Sequence, residues 1–342
     1  MNKHSLHLNS IKMHFFCSSL LILFSSMVGR ASSLTRNIKG RQTTELKTAF
    51  ASSSSCQKYV VLTTQRSGST WACNLLDLQK DITCGGTEIY GGIVRVPELL
   101  IQYSSKTSEE RKEIQWTEYE KDFTEAMQNA IDANSACASP SLSSSTDSAA
   151  AGFKLMYDQI PSKFIQSGEI FDYFAKNNIA VIHLVREAKI LRIASMKESH
   201  AMGGQPHSVD QSYVKQFRDK TQPLSWDETM IKKIPMEEKK DASWEISLSF
   251  KPNLKYHRLS YEKMLLEEDL ISQLNQIFVF LKTTQKYSSV NLDSKLLKLQ
   301  KSTCRARIMN YEEFRKHISG TRTAAACDML DDLYDDEQEV EM

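Results

Sequence analysis

The 342-residue sequence is short of several features that would mark common functions. It carries no surplus of one charge: 43 Lys and Arg stand against 42 Asp and Glu, a formal net charge of +1. No global field therefore argues for nucleic acid as a partner. Its seven cysteines include no C-x-x-C pair and no Cys/His zinc spacing, which removes the usual zinc modules. Asn-x-Ser/Thr sequons are absent, so glycosylation offers no support for a lumenal chain. No internal repeat is found, which argues against solenoids and propellers. What remains is ordinary globular composition, 41% hydrophobic and 25% charged, with length for one large core or two small ones.

The charges that are present are segregated. Arg30 to Lys58 holds six Lys or Arg and a single acid, Glu45, whereas the end of the chain is strongly acidic. Near the N-terminus, Lys3 and Lys12 precede the apolar run "MHFFCSSLLILFSSMVG", and Arg30 closes it. Its length of about 17 residues fits both a signal-peptide core and a short membrane span. Residues 1–31 thus read as a cleaved signal or a signal-anchor, with 13–29 as the candidate membrane anchor and Gly29 and Ala31 as small residues at a cleavage site. Residues 32–57 read as a basic, Ser/Thr-rich lumenal stem, or as a transit-like linker behind a signal in a plastid-bearing cell. Residues 58–330 form the expected folded domain. Within it, 134–151, "NSACASPSLSSSTDSAAA", is a low-complexity insertion with too little apolar surface to offset chain entropy. Residues 331–342 are expected to be a solvated acidic tail.

The domain opens as a parallel α/β sheet does. "KYVVLTT" is a buried strand, "RSGST" a turn, and "WACNLLDLQK" a helix with Trp71, Leu75 and Leu78 on one face. "DITCGGTEIYGG" adds a short strand and Gly-rich turns. Further strands are expected at "GFKLMY" and "IAVIHLV", the latter an uninterrupted apolar run suited to a central parallel position. Helices are expected over 108–133, 164–176, the stretch after Arg186, and 269–281, with "YHRLSYEKML" a strand running into a helix. Residues 203–250 are polar and mixed, without a clear period. The fold class is α/β, a central parallel sheet flanked by helices.

The stretch "TTQRSGSTW" follows the first strand. Successive backbone amides at a helix N-terminus attract an anion, and the helix dipole adds to this. Gly68 allows close backbone approach. Arg66 forks onto two anionic oxygens, and Ser67, Ser69 and Thr70 add hydroxyl donors. A Walker loop is a poor fit, because it requires G-x-x-x-x-G-K-S/T and this loop has one Gly and no Lys. The anion expected is smaller than a triphosphate chain and needs no metal.

The loop resembles the 5′-phosphosulfate loop of the sulfotransferases that use 3′-phosphoadenosine 5′-phosphosulfate (PAPS), in the Arg form of the Golgi carbohydrate and tyrosine enzymes. A second match is "HLVREAKILRIAS", which supplies Arg186 at the end of a strand and Ser195 on the following helix. The resemblance implies that these two hold the 3′-phosphate of the cofactor. "GFKLMY", "RLSYEKML" and "RIMNYEEFRKHISGT" are similar to segments of the same family, and together the matches span about residues 58 to 330. The implied fold is the P-loop-like sulfotransferase fold, and the implied reaction moves a sulfuryl group to a hydroxyl or amine, with a glycan as the expected acceptor.

By the same resemblance, Trp71 is a candidate for stacking on adenine, with core packing as the alternative. "CGGTEIYGG" is similar to the segment whose Glu acts as general base in relatives, which makes Glu88 the first candidate. His200 and His207 stand in reserve, and His183, inside an apolar strand, reads as a packed core residue. Lys154, in an apolar strand, either snorkels out or touches the sulfuryl group or the acceptor. Tyr261 and Glu262 match a "YE" element whose role is mainly structural. Arg305, Arg307, Thr321 and Arg322 lie where relatives close a late loop over the nucleotide, but the short Arg-Lys-Gly loop of the cytosolic members is missing. Residues 203–250 and the insertion are the expected determinants of the acceptor. The competing readings are a P-loop small-molecule kinase and a degenerate binding protein that keeps the fold.

Overall fold

Strand β1 (Gln57–Thr63) explains the sheet around it, because nearly every residue in it is buried. Its alternate side chains feed two cores, as a period of two requires. Val60 and Leu62 face one way, Tyr59 and Val61 the other. The computed structural model describes residues 56–79, 81–85, 98–134, 137, 149–201, 223–283 and 303–340. All belong to the unit Ser53–Met342. The remaining strands are β2 (Ile82–Gly85), β3 (Ala150–Met156), β4 (Ala180–Val185) and β5 (Tyr256–Ser260). Their order is β2-β3-β1-β4-β5, and each neighbouring pair is parallel. From β1 the chain runs through α1 (Ser69–Asp77) to β2 on one side, then returns through β3 and crosses to β4 on the other. The reversal makes the loop after β1 the topological switch point, where open α/β sheets bind ligands.

Helices cover both faces. One face carries α2 (Glu98–Ser105), α4 (Trp116–Ala133), the pair α5 (Ser162–Gln166) and α6 (Glu169–Lys176), and part of α8 (Glu228–Ser249). Phe123, Phe153, Phe164, Phe174 and Trp244 meet there, each large side chain worth roughly 1.5–3 kcal/mol when fully buried. On the other face, Leu75 and Leu76 of α1 pack with Leu274 and Phe278 of α9 (Glu267–Leu281). A third cluster joins α7 (Lys189–Ala201) and the start of α8 to α10 (Cys304–Arg307), α11 (Tyr311–His317) and α12 (Arg322–Val340).

Several expected boundaries differ from those observed. Residues 108–133 form two helices, α3 (Ser108–Glu113) and α4, because Ile114 and Gln115 take extended ψ values of 125° and 147°. Residues 164–176 likewise break at Gly168, whose φ of 80° is left-handed, a region that favours glycine. On α1 the buried face passes through Ala72, Cys73, Leu75 and Leu76, leaving Trp71 and Leu78 at its rim. The edges of the expected insertion are structured. Asn134 donates to the Ala150 carbonyl at 3.1 Å, and Ala150 and Ala151 are fully buried in β3. Small side chains there join the sheet without any apolar signal. At the far end, buried Asp331 accepts from the Arg305 amide at 3.1 Å, so the packed unit passes Leu330.

The largest departure is α8, inside the stretch that carried no clear period. Asp227 caps it, accepting from the Met230 amide at 2.8 Å, an interaction that favours helix initiation. Met230, Ile234, Asp241, Trp244 and Leu248 are its buried positions. They repeat at helical spacing, but Pro235 and a buried aspartate at the place of an apolar residue disguise the pattern. The six cysteines outside the N-terminal run pair as Cys56–Cys137, Cys73–Cys84 and Cys304–Cys327.

Candidate functional site

The loop between β1 and α1 is built around two left-handed residues. Gly68 caps α1 with φ 79°, and no side chain caps the amides of that helix end. Arg66 has φ 64°, a conformation that costs a non-glycine residue roughly 1–2 kcal/mol. Such strain persists only where the surroundings hold it, and here they do. The Arg66 carbonyl accepts from Arg186 Nη1 at 3.1 Å, and Arg66 Nε donates to Ser195 Oγ at 3.1 Å. The Gln65 carbonyl accepts from Arg192 at 3.4 Å. Inside the turn, Thr64 Oγ1 and Ser67 Oγ share a hydrogen bond of 2.6 Å. Ser69 and Thr70 are buried at the first turn of α1.

Two segments more than a hundred residues apart thus converge on one place. Arg66, Ser67, Gly68, Ser69 and Thr70 form the loop; Arg186 leaves the carboxyl end of β4, and Ser195 comes from α7. Tyr261, just past β5, packs against both. Its ring lies 5.0 Å from the Arg186 guanidinium and meets Trp71 edge-on at 6.1 Å. Tyr261 was expected to be mainly structural; its position against the loop glycine places it in the wall of this site. Glu262 does hold structure, since its carboxylate accepts from the Glu187 and Ala188 amides at 2.9 and 3.0 Å. Lys154 points from β3 towards the same helix end, with Nζ 3.4 Å from Thr70 Oγ1.

The site is rich in positive charge held out of water. Burial lowers the Arg66 pKa, and the nearby Arg186 charge lowers it further. Arg307 is affected in the same way, by burial first and Arg186 second, and is pulled down to about 10. Arg307 is buried and paired with Glu198, while its Nε lacks a hydrogen-bond partner among the described residues. Arg186 Nε is buried and similarly unpartnered there. A buried donor without an acceptor is costly, and neighbouring guanidiniums repel one another. An anion with several oxygens relieves both.

Arg305 and Arg322 do not join this group. Both are exposed, and they face Glu312 and Glu245 respectively. Thr321 caps α12 by accepting from the Ala324 amide at 3.1 Å. His183 is a packed core residue: Tyr157 and Tyr256 hold its two ring nitrogens. Burial, then the charges of Arg258 and Lys189, bring its pKa down to about 3, which leaves it neutral at physiological pH. Glu88 and His207 lie outside the described residues, as does the side chain of His200. Among the described residues no group of His, Cys, Asp or Glu is arranged to hold a metal ion.

No family model matches the chain, and no curated protein matches it in sequence. Among solved structures it is similar to a sulfotransferase from Alicyclobacillus acidocaldarius, at 12% identity and a TM-score of 0.38. The likeness covers 81% of this chain and 94% of that one.

Proposed function

We propose that the chain is a sulfotransferase that uses PAPS as donor and a hydroxyl or amine of a glycan as acceptor. The observation that carries this reading is the direct hydrogen bond from Arg66 to Ser195. It joins the loop suited to a 5′-phosphosulfate to the helix serine suited to a 3′-phosphate, and Arg186, the strand-end arginine, donates to the Arg66 carbonyl beside it. The residues fit the donor's chemistry, since Gly68 offers α1 no side-chain cap and the buried Nε atoms of Arg186 and Arg307 lack a hydrogen-bond partner among the described residues. When bound, PAPS supplies the sulfuryl group and a phosphate that leaves with negative charge. Arg66 and the α1 amides would hold that phosphate and offset its charge. Lys154 and Thr70 border the same helix end and are assigned to the sulfuryl oxygens. Trp71, half-buried beside Tyr261, is assigned to the adenine, and Glu88 to the acceptor proton.

Replacing Arg66 or Arg186 by Ala weakens binding of adenosine 3′,5′-bisphosphate by about 1.5–3 kcal/mol, the worth of a hydrogen bond to a charged group. Titration calorimetry without magnesium measures this directly. Unchanged affinity in both folded variants removes the sulfotransferase reading, and dependence on magnesium-ATP favours a kinase.

Three disulfides among the described residues support an oxidising compartment, and we assign the domain to the lumen of the secretory pathway, with the Golgi membrane as its station. No helix among the described residues is long and apolar enough to cross a membrane, and residues 13–29 are our proposed anchor. A fluorescent protein carrying residues 1–60 enters the secretory pathway if this is right. Diffuse cytosolic fluorescence rejects it, and a plastid signal favours the two-step route.

A further inference from the structure

Behind the site lies a chain of buried polar groups that the reaction itself does not use. Asp241 of α8 and Lys189 of α7 form an ion pair, with side chains only 6% and 3% exposed. Lys189 Nζ also donates to the main-chain carbonyl of Arg186. Asp241 in turn accepts from Tyr157 Oη at 3.1 Å. Tyr157 bonds His183 and stacks on Trp244 of α8 with ring centroids 4.8 Å apart. His183 reaches Tyr256 of β5 at 3.3 Å. The carboxyl ends of β3 and β4 and the first residue of β5 are thereby tied to one helix.

A buried ion pair is an expensive way to fill a core, and apolar side chains of similar volume often do as well or better for stability. Its presence here coincides with a particular main-chain contact. The turn after β4 is held at Glu187 and Ala188 by Glu262, and at the Glu187 carbonyl by Thr323. Among the described residues, only Lys189 grips the carbonyl of Arg186, the residue whose guanidinium reaches the loop. Without Asp241 the Lys189 ammonium would be an uncompensated buried charge, and it would leave that position for water or another acceptor.

We infer that Asp241, acting through Lys189, is a positioning residue that fixes the main chain of Arg186 and so aims its guanidinium at the 3′-phosphate of the donor nucleotide. The inference rests on the sulfotransferase reading. It predicts a larger effect at one phosphate than at the other: the pair controls how far the chain prefers adenosine 3′,5′-bisphosphate over adenosine 5′-monophosphate, because only the first carries the group that the Arg186 guanidinium meets, whereas the loop feels Arg186 through one bond to the Arg66 carbonyl.

The test uses two variants of the full chain. Asp241→Asn breaks the pair and strands the Lys189 charge. Lys189→Met with Asp241→Leu removes both charges and fills the space with apolar atoms, which keeps the fold while the clamp is lost. Dissociation constants for both nucleotides are measured with the melting temperature. In the double variant the preference for the bisphosphate falls roughly tenfold or more, equivalent to one charge-assisted hydrogen bond, while monophosphate affinity falls by a smaller factor and the protein still melts cooperatively. A merely structural pair would lower the melting temperature and leave the preference alone, and that result overturns the inference. A wild-type chain with no preference at all defeats the sulfotransferase reading, and this inference with it. A wild-type preference that the folded double variant retains defeats the inference alone.

Discussion

Glu88→Gln lowers kcat by roughly 10²–10⁴-fold, the usual worth of general base catalysis, and leaves the affinity for adenosine 3′,5′-bisphosphate unchanged. Sulfuryl transfer needs the acceptor proton removed as the new bond forms, and a carboxylate does this when it sits beside the acceptor. Glu88 follows the last residue of β2, Gly85, by three positions. Three residues reach at most about 11 Å, and Gly85 ends β2 at the carboxyl edge of the sheet. β2 neighbours β3, the strand that carries Lys154, and lies across β1 from Arg186. This is the side left for the acceptor when the cationic group occupies the β4 side. Gln keeps the shape and loses the basicity, so the acidic limb of the pH profile of kcat disappears in the variant. If KM rises while kcat holds, Glu88 only positions the acceptor, and the base is then sought at His200 or His207. A wild-type rate ends the proposal.

Gly68→Ala abolishes useful binding of the bisphosphate, raising its Kd by at least about 100-fold, as expected for the loss of two charge-assisted hydrogen bonds. Two causes add. The left-handed φ of 79° disfavours any side chain, and a Cβ at this position would lie 2.0 Å from Cε2 and 2.2 Å from Cδ2 of Tyr261. Carbon atoms pack at about 3.5–4.0 Å, so either the loop moves off its amides or the tyrosine ring swings away. The second escape carries Arg186 with it, since that guanidinium rests on the same ring. Calorimetry on the folded variant gives the answer, and Tyr261→Ala in the same chain restores part of the affinity by removing the clash. Undiminished affinity in Gly68→Ala alone would show that the phosphate does not approach this loop.

The α/β class was legible because the central strands carry short apolar runs, Tyr59 to Leu62 in β1 and Ala180 to Val185 broken only by His183 in β4, which point to a buried parallel sheet. The loop and the pair Arg186 and Ser195 were legible as short patterns with a chemical purpose. A shared cofactor implied their convergence, but not the direct bond from Arg66 to Ser195, which depends on how far α7 turns before the two meet. Asp241 was hidden for a different reason. A charged residue at a core position reads as surface until its partner is known, and Lys189 lies 52 residues away. Arg307 stood among several late cations, and only burial separates it from Arg305 and Arg322. The cysteine pairs could not be chosen by spacing, since six cysteines allow 15 connectivities. Glu88 and His207 fall where the structure describes no residues, and their roles still rest on the sequence.

The order of the strands bears on how the chain is made. β1 is synthesised first, yet its neighbours in the sheet are β3 and β4, beginning at Ala150 and Ala180. Both edges of this buried strand must wait while the ribosome delivers about a hundred further residues, a delay of roughly 5–20 s at ordinary elongation rates. Cys56 waits as well, because its partner stands 81 residues downstream, and α1 brings Cys73 into reach of Cys84 long before. A nascent chain delivered into an oxidising compartment, as proposed above, would have the short loop ready to close and the long one still open. Efficient production should depend on a chaperone that shields β1 and on an isomerase that keeps Cys56 from an early, wrong partner.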